Sequence, residues 1–368
     1  MNRERTILVP RLMDRATTNA QNLNAKAMLA RFRRTECRWL ATHYDAPDTS
    51  VERSAGVRLV KLWHRSPGWR TFLFYQQHAD AIFYPGPDEA DEAGLDFRTR
   101  TGRRIPIIAT MEGFVGDEPR EQQLSLWAGH RVYCQRIPAE TLRRVDRMLQ
   151  RADYIIAITP FVAEMGRRLY GDKVSLQPLG ADTTIFHDKS RTPGTRFRIV
   201  SAGTVKATKR PEVFLELAAR FPQAEFYWFG TGPQREELSA RAQERGLHNL
   251  CYPGPRSQEG LADEFRRAHL FVLPSHAEGL PKVVQEAVAC GLPAIVFGFY
   301  HAPTVVDGKN GFVVWDDEQL SARVGELISD PTEASRMGSI GAVMAQAWDW
   351  DKLAPLWENQ ILELALKR

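Results

Sequence analysis

Residues 273–296 read LPSHAEGLPKVVQEAVACGLPAIV. The apolar run ending at Pro274 has the length of a buried strand, and Ser275–Pro281 has the composition of a loop. Pro281 suits the first turn of a helix, where its missing N–H costs nothing, and Gly291 with Pro293 closes that helix near Cys290. A second apolar run starts at Ala294. Strand, loop, helix and strand in this order form a βαβ unit with parallel strands. The free N–H groups at the helix start carry partial positive charge and can hold a phosphate. Glu278 lies just before the helix, and Glu286 about two turns further on. Carboxylates beside a bound phosphate are suited to accept hydrogen bonds from the sugar hydroxyls that flank it. Taken alone, the same pair would pass for two solvated acids on an amphipathic helix.

The same alternation runs through the chain in both directions. Thr6–Pro10, Arg38–Thr42, Val57–Trp63, Ala81–Pro85, Ile105–Thr110 and Tyr154–Thr159 read as buried strands, separated by helical patterns such as Asn22–Arg34 and Pro138–Arg151. A second series begins at Arg196–Ala202 and continues through Glu225–Gly230, Asn249–Tyr252, Leu270–Pro274, Ala294–Phe297 and Phe312–Val314. Such alternation predicts an α/β chain with two Rossmann-like parallel sheets. Between them His187–Thr195, HDKSRTPGT, has the polar, Pro- and Gly-containing composition of a connection. The expected division is therefore 1–190, 191–350 and a last segment, 351–368, returning to the first domain. Ligands of open parallel sheets bind beyond the carboxyl ends of the strands, so a site in a central cleft is expected.

Composition agrees with two domains. The chain has 368 residues, 43% of them hydrophobic and 26% charged, and no internal period, which excludes disordered, collagenous, coiled-coil and repeat architectures. Its four cysteines form no CxxC pair, so neither a disulfide framework nor a structural zinc site is expected, and a reducing cytoplasm fits. No apolar run approaches the roughly 20 residues of a spanning helix. Residues 1–190 carry 29 Lys and Arg against 23 Asp and Glu, whereas residues 191–368 carry 20 against 22. The basic half suits an anionic membrane surface or a phosphate-bearing substrate, and a solvated arginine-rich surface would look alike. Basic residues interleaved with acidic ones, without a recognition motif, argue against nucleic acid.

The segment EGLPKVVQEAVACGLP resembles the signature of retaining GT-B glycosyltransferases of the family 4 (group 1) type, with Glu278 and Glu286 at its E-x7-E positions. Other segments agree in order. Gly203–Lys209 resembles the phosphate-binding turn opening the family's second domain, Phe229-Gly-Thr-Gly-Pro233 its G-x-G-P turn, and Ala268–Ser275 the strand before the signature. Upstream, Ala152–Thr159 and Pro178–Phe186 are similar to the usual approach to the linker. The resemblance is strong over about 150–350 and weak before it. It implies that Glu286 accepts hydrogen bonds from the nucleotide ribose and Glu278 from the donor hexose. Backbone groups at Gly203, Gly279, Leu280, Lys282 and Val283 would meet sugar and diphosphate, and the base would lie near Tyr252 and Arg256. Lys209 would neutralise the leaving diphosphate.

This chain also departs from the pattern. An arginine usually follows the glycine where Thr204 stands here, so Lys206 or Arg210 would supply the second cation, with Lys206 favoured. The Gly-Gly loop after the first strand is replaced by Thr17–Asn22, where Asn19 and Asn22 are candidates on the acceptor side or plain loop and capping residues. Many relatives carry a histidine after the strand matching Ile105–Thr110; Glu112 takes that place, as an acceptor-side group or an ordinary loop glutamate.

The resemblance implies retaining transfer of a hexose from a nucleoside-diphosphate sugar to a glycan or lipid-linked glycan acceptor, and the basic first half motivates placing that acceptor at the inner face of a membrane. The donor is a co-substrate, and no cofactor or essential metal is expected: Asp88–Asp91 and Asp349–Asp351 are D-x-D-like but follow no suitable strand. A nucleotide-sugar epimerase or a non-catalytic binding subunit on the same fold are the competing readings.

Overall fold

The computed structural model describes residues 5–16, 20–34, 37–62, 79–86, 98, 105–113 and 139–367. β1 (Arg5–Leu12), β2 (Cys37–His43), β3 (Val57–Lys61), β4 (Ala81–Tyr84), β5 (Ile107–Met111), β6 (Tyr154–Ala157) and β7 (Val174–Leu176) form one sheet in the order β3-β2-β1-β4-β5-β6-β7. β8 (Arg198–Ala202), β9 (Glu225–Phe229), β10 (Leu250–Cys251), β11 (Leu270–Leu273), β12 (Ala294–Phe297) and β13 (Gly311–Val314) form another in the order β10-β9-β8-β11-β12-β13. Neighbouring strands pair in parallel throughout. The helices are α1 (Ala20–Leu29), α2 (Thr49–Glu52), α3 (Ala139–Arg151), α4 (Pro160–Tyr170), α5 (Pro211–Arg220), α6 (Arg235–Glu244), α7 (Gln258–Arg266), α8 (Lys282–Ala289), α9 (Asp317–Ser329), α10 (Pro331–Ala345) and α11 (Trp350–Leu366).

The central strands are apolar on both faces because helices cover both. β4, β5, β11 and β12 are buried at every position, as parallel sheets require. Local signals set the helix ends. Thr159 Oγ1 accepts from Val162 N at 3.1 Å and Pro160 opens α4, which stops at Gly171 with φ +73°. Asp330 caps α10 in the same way, accepting from Thr332 N and Glu333 N, both at 3.1 Å.

Both strand orders reverse direction once, between β1 and β4 in the first sheet and between β8 and β11 in the second. At such a point the two neighbouring loops leave in opposite directions and open a crevice at the carboxyl ends of the strands. The sequence therefore concentrates its chemistry where topology provides space for it.

The chain divides into two compact units. Among the described residues, one runs to Gly180 and resumes at Trp350, and the other is Ala181–Asp349. The first break thus falls earlier than the expected 190, because the polar stretch 187–195 is fastened to the second unit. Thr192 N and Gly194 N donate to Arg266 O and Arg267 O at 3.2 and 3.3 Å, and Arg266 Nη1 donates to Ile185 O at 3.1 Å. A polar composition marks exposure rather than a hinge. The segments entering and leaving the second unit lie side by side, Ala181 N donating to Trp348 O at 2.8 Å.

α11 is held within the first unit by contacts remote in sequence. Arg31 Nε meets Asp351 Oδ1 at 2.5 Å, Glu358 accepts from Arg33 N and Arg34 N at 3.1 Å, and Trp357 Nε1 donates to Pro178 O at 2.7 Å. Glu358 and Trp357 are buried, so their bonds are shielded from water, whereas Asp351 is exposed.

Candidate active site

The second unit collects most of the expected donor residues on two loops at the β8–β11 reversal. β8 ends at Ala202, and Gly203 follows at φ +132°. The chain then makes a 3-10 turn over Ala207–Lys209 before α5. β11 ends at Leu273, and Ser275–Pro281 leads into α8.

The turn after β9 supports the turn after β8 through backbone packing. Gly203 N donates to Phe229 O at 2.9 Å, and Val205 N to Thr231 O at 3.0 Å. A Cβ on Gly230, which has φ +148°, would stand 2.1 Å from Gly203 O, and one on Gly232 would stand 2.3 Å from Val205 O. The G-x-G spacing thus exists to let two backbones meet. Gly230→Ala is expected to cost about 3 kcal/mol and to lower the Tm by roughly 6–12 °C, through backbone strain and displacement of the 203–209 turn. A melting curve within about 2 °C of wild type would contradict that packing argument.

Lys209 Nζ forms an ion pair with Glu278 Oε1, with the side chains 22% and 12% exposed. At the start of α8, Lys282 Nζ lies 3.7 Å from Oε1 of Glu286, one turn further on. Glu286 is buried, and burial pushes its carboxyl up to about 7; Lys282 opposes the shift and Asp182 adds to it. Lys282 N and Val283 N open the helix, and Val284 N donates to Pro281 O at 2.9 Å. The first amides of a helix have no acceptor within it and point along its axis away from the helix body. Gly279, Leu280, Lys282 and Val283 are all partly accessible.

The remaining donor-side candidates differ in their freedom. Lys206 and Thr204 are exposed. Arg210 is instead committed: its guanidinium bonds Asp317 Oδ2 at 2.6 Å, Pro274 O at 3.3 Å and His276 Nε2. Tyr252 is buried, burial raises its phenol pKa, and its carbonyl accepts from Arg235 at 3.1 and 3.2 Å. Arg256 lies 3.6 Å from Glu264 and 5.4 Å above the Phe229 ring.

The first unit places other candidates at its own reversal. Arg11 on β1, Gln21 on α1, Gly86 after β4 and Glu112 after β5 converge there. Arg11 Nη2 donates to Gly86 O at 2.7 Å and to Gln21 Oε1 at 3.3 Å. Burial pushes the Glu112 carboxyl up to about 7 against the pull of Arg11 and Gln21. Its Oε1 is buried without a hydrogen-bond partner among the described residues. Asn22 stands inside α1 and is 5% exposed, so it is not a loop residue. Asn19 and Asp88–Asp91 lie outside the described residues.

Arg11, Gln21, Lys282's side chain and Tyr300 were not legible as site residues. Tyr300 is wholly buried, and burial with the charge of Glu278 raises its pKa. The i to i+4 spacing of Lys282 and Glu286 was the one available signal. Among the described residues no cluster of three or more His, Cys, Asp or Glu could hold a metal ion, and no helix is long and apolar enough to cross a membrane.

The chain is similar to known proteins in sequence and in fold. Residues 182–344 match the family model described as Glycosyl transferases group 1. A D-inositol 3-phosphate glycosyltransferase from Arthrobacter sp. (strain FB24) is 28% identical over 291 residues, which cover 72% of this chain and 66% of that protein. Two solved structures share the fold. Sucrose-phosphate synthase from Thermosynechococcus elongatus has a TM-score of 0.77 at 19% identity, covering 98% of this chain and 99% of that one. The Anabaena protein HepE, solved with UDP and glucose, has 0.76 at 16%, covering 98% and 100%. The fold is GT-B, and residues 182–344 carry the match to the glycosyl transferases group 1 family.

Proposed function

We propose that the chain is a retaining glycosyltransferase that moves a hexose from a nucleoside-diphosphate sugar to a glycan or lipid-linked glycan acceptor. The observation that carries this reading is the pairing of Lys209 with Glu278 beside the amino terminus of α8, at the reversal point of the second sheet. Without donor, the lysine and the carboxylate neutralise each other. With donor, the diphosphate takes over Lys209, and Glu278 turns to the hexose hydroxyls. Glu286 accepts from the ribose, with Lys282 holding its carboxylate. The open amides of Lys282 and Val283 and the backbone of Gly203, Gly279 and Leu280 line the sugar and diphosphate, and the base lies toward Tyr252 and Arg256.

In the transfer step the bond from the anomeric carbon to the phosphate oxygen breaks and a bond to the acceptor oxygen forms on the same face. The acceptor proton passes to the departing phosphate oxygen. Charge grows on that phosphate, so fixed cations and oriented amides lower the barrier without a metal. Lys209 and Lys206 supply the cations. Glu112, Asn22 and Asn19 serve the acceptor in the first unit, whose basic balance suits an anionic membrane surface at the inner face.

Thermal-shift titration with UDP, GDP, ADP and dTDP, followed by their sugars, tests the reading. At a hundredfold excess over Kd one nucleotide should stabilise the protein by about 2.7 kcal/mol. If none shifts the melting curve, the donor site is misassigned.

A further inference from the structure

Three described residues other than glycine adopt a left-handed backbone: Ser190, Arg210 and His301. Arg210 does so at φ 54°, ψ 51°, directly after Lys209 and directly before the first residue of α5. A glycine would take this conformation without steric cost, whereas an L side chain brings Cβ against its own backbone. Strain of this kind persists where surrounding contacts hold it, and here they are specific.

The Arg210 guanidinium is fixed from several sides. It donates to Asp317 Oδ2 at 2.6 Å, to Pro274 O at 3.3 Å and to His276 Nε2, and it lies 5.3 Å from the Phe297 ring centroid. A guanidinium offers only donors, so Nε2 of His276 is the acceptor and the proton of the neutral ring is on Nδ1. His276 in turn packs edge-on against Phe297 and Phe299, at 4.5 and 5.0 Å. Between Pro274 and His276, the fully buried Ser275 places Oγ 3.1 Å from both Thr208 O and Ala277 O. The loop after β11 is therefore tied to the turn after β8 on both sides of Ser275. Glu278 follows two residues later and meets Lys209, the neighbour of Arg210.

We infer that Arg210 is a positioning residue for the donor: its left-handed backbone and clamped guanidinium hold the loop 275–280, and with it Glu278 and the head of α8, in the arrangement that receives a diphosphate. Its side chain acts through His276 and the Pro274 carbonyl and does not itself touch the substrate. This rests on the donor-site reading proposed above and gives a role to Arg210, which the sequence offered only as an alternative to Lys206 for the second cation.

The test uses the full chain and the nucleoside diphosphate among UDP, GDP, ADP and dTDP that binds it, together with the matching monophosphate. Arg210→Gly should weaken the diphosphate about tenfold by calorimetry, while the monophosphate, which depends less on the head of α8, changes by less than about threefold. The Tm should stay within about 4 °C of wild type, because glycine relieves the backbone strain as the side-chain contacts are lost. Asp317→Asn, which frees one end of the guanidinium at an exposed partner, should weaken the diphosphate about threefold in the same selective manner. Equal weakening of both nucleotides would make Arg210 a general structural residue, and unchanged diphosphate affinity in both variants would overturn the inference outright. If Arg210→Gly unfolds, Asp317→Asn alone decides between these outcomes. Failure of every diphosphate to bind wild type is a separate result, and removes the donor-site reading itself.

Discussion

Lys209→Ala should lower kcat by about two to three orders of magnitude and change nucleotide affinity far less. The asymmetry follows from what the lysine faces in each state. In the free protein its Nζ is already neutralised by Glu278, so binding a diphosphate exchanges one anionic partner for another. As the glycosidic bond breaks, the phosphate oxygen gains charge, and only then does the cation gain interaction energy it did not have before. Removing it also leaves Glu278, 12% exposed, as an uncompensated carboxylate next to an anionic substrate. Lys209→Ala/Glu278→Gln should therefore recover part of the binding loss and none of the rate. Single-turnover and steady-state assays with the donor found by the nucleotide screen measure both quantities. A kcat within about threefold of wild type would remove Lys209 from the reaction.

The second large effect concerns pH. Burial holds the Glu286 carboxyl near 7, against an ordinary value of 4.5. A ribose hydroxyl donates best to the charged carboxylate, so nucleotide binding favours the deprotonated form. Affinity should accordingly weaken as pH falls below about 7, approaching tenfold per pH unit, and level off above it. Stability has the opposite sign. The folded protein binds the proton more tightly than the unfolded chain, so this group's contribution is fully present below about 4.5 and is lost as pH rises through about 7. Glu286→Gln should flatten the binding profile at low affinity, and its Tm relative to wild type should improve between pH 5 and pH 8. Calorimetric titrations and melting curves across this range check both. A wild-type affinity independent of pH would show that Glu286 does not bind the nucleotide as a carboxylate.

Much of the second unit was legible from residue order. The stretch 273–296 contains a strand, a helix stop and a second strand in βαβ order, and β11 and β12 are apolar throughout. α9 and α10 were less legible, since α10 alternates small and polar residues and Gly338 packs a backbone, its Cβ position 2.1 Å from Gly291 O, rather than a side chain. β7 was hidden by its length of three residues at a sheet edge. In the first unit Arg11 lies just past the strand expected over Thr6–Pro10, and nothing local marks it as a site residue. Only the reversal between β1 and β4 brings it to Gly86 and Gln21 and sets it beside Glu112.

By itself the sequence determined the α/β class and the two sheets, because each depends on short-range periodicity, while Lys209, Glu278 and Glu286 were singled out by the resemblance of their segments to a family signature. The tertiary structure decided which groups face one another. Lys209 meets Glu278 across 69 positions and Arg210 meets Asp317 across 107. It also decided where the polar stretch 187–195 belongs, and it created the buried setting that moves the Glu286 carboxyl. Local pattern records what each residue prefers, whereas charge pairing, desolvation and backbone strain depend on distances that exist only after the sheets have closed.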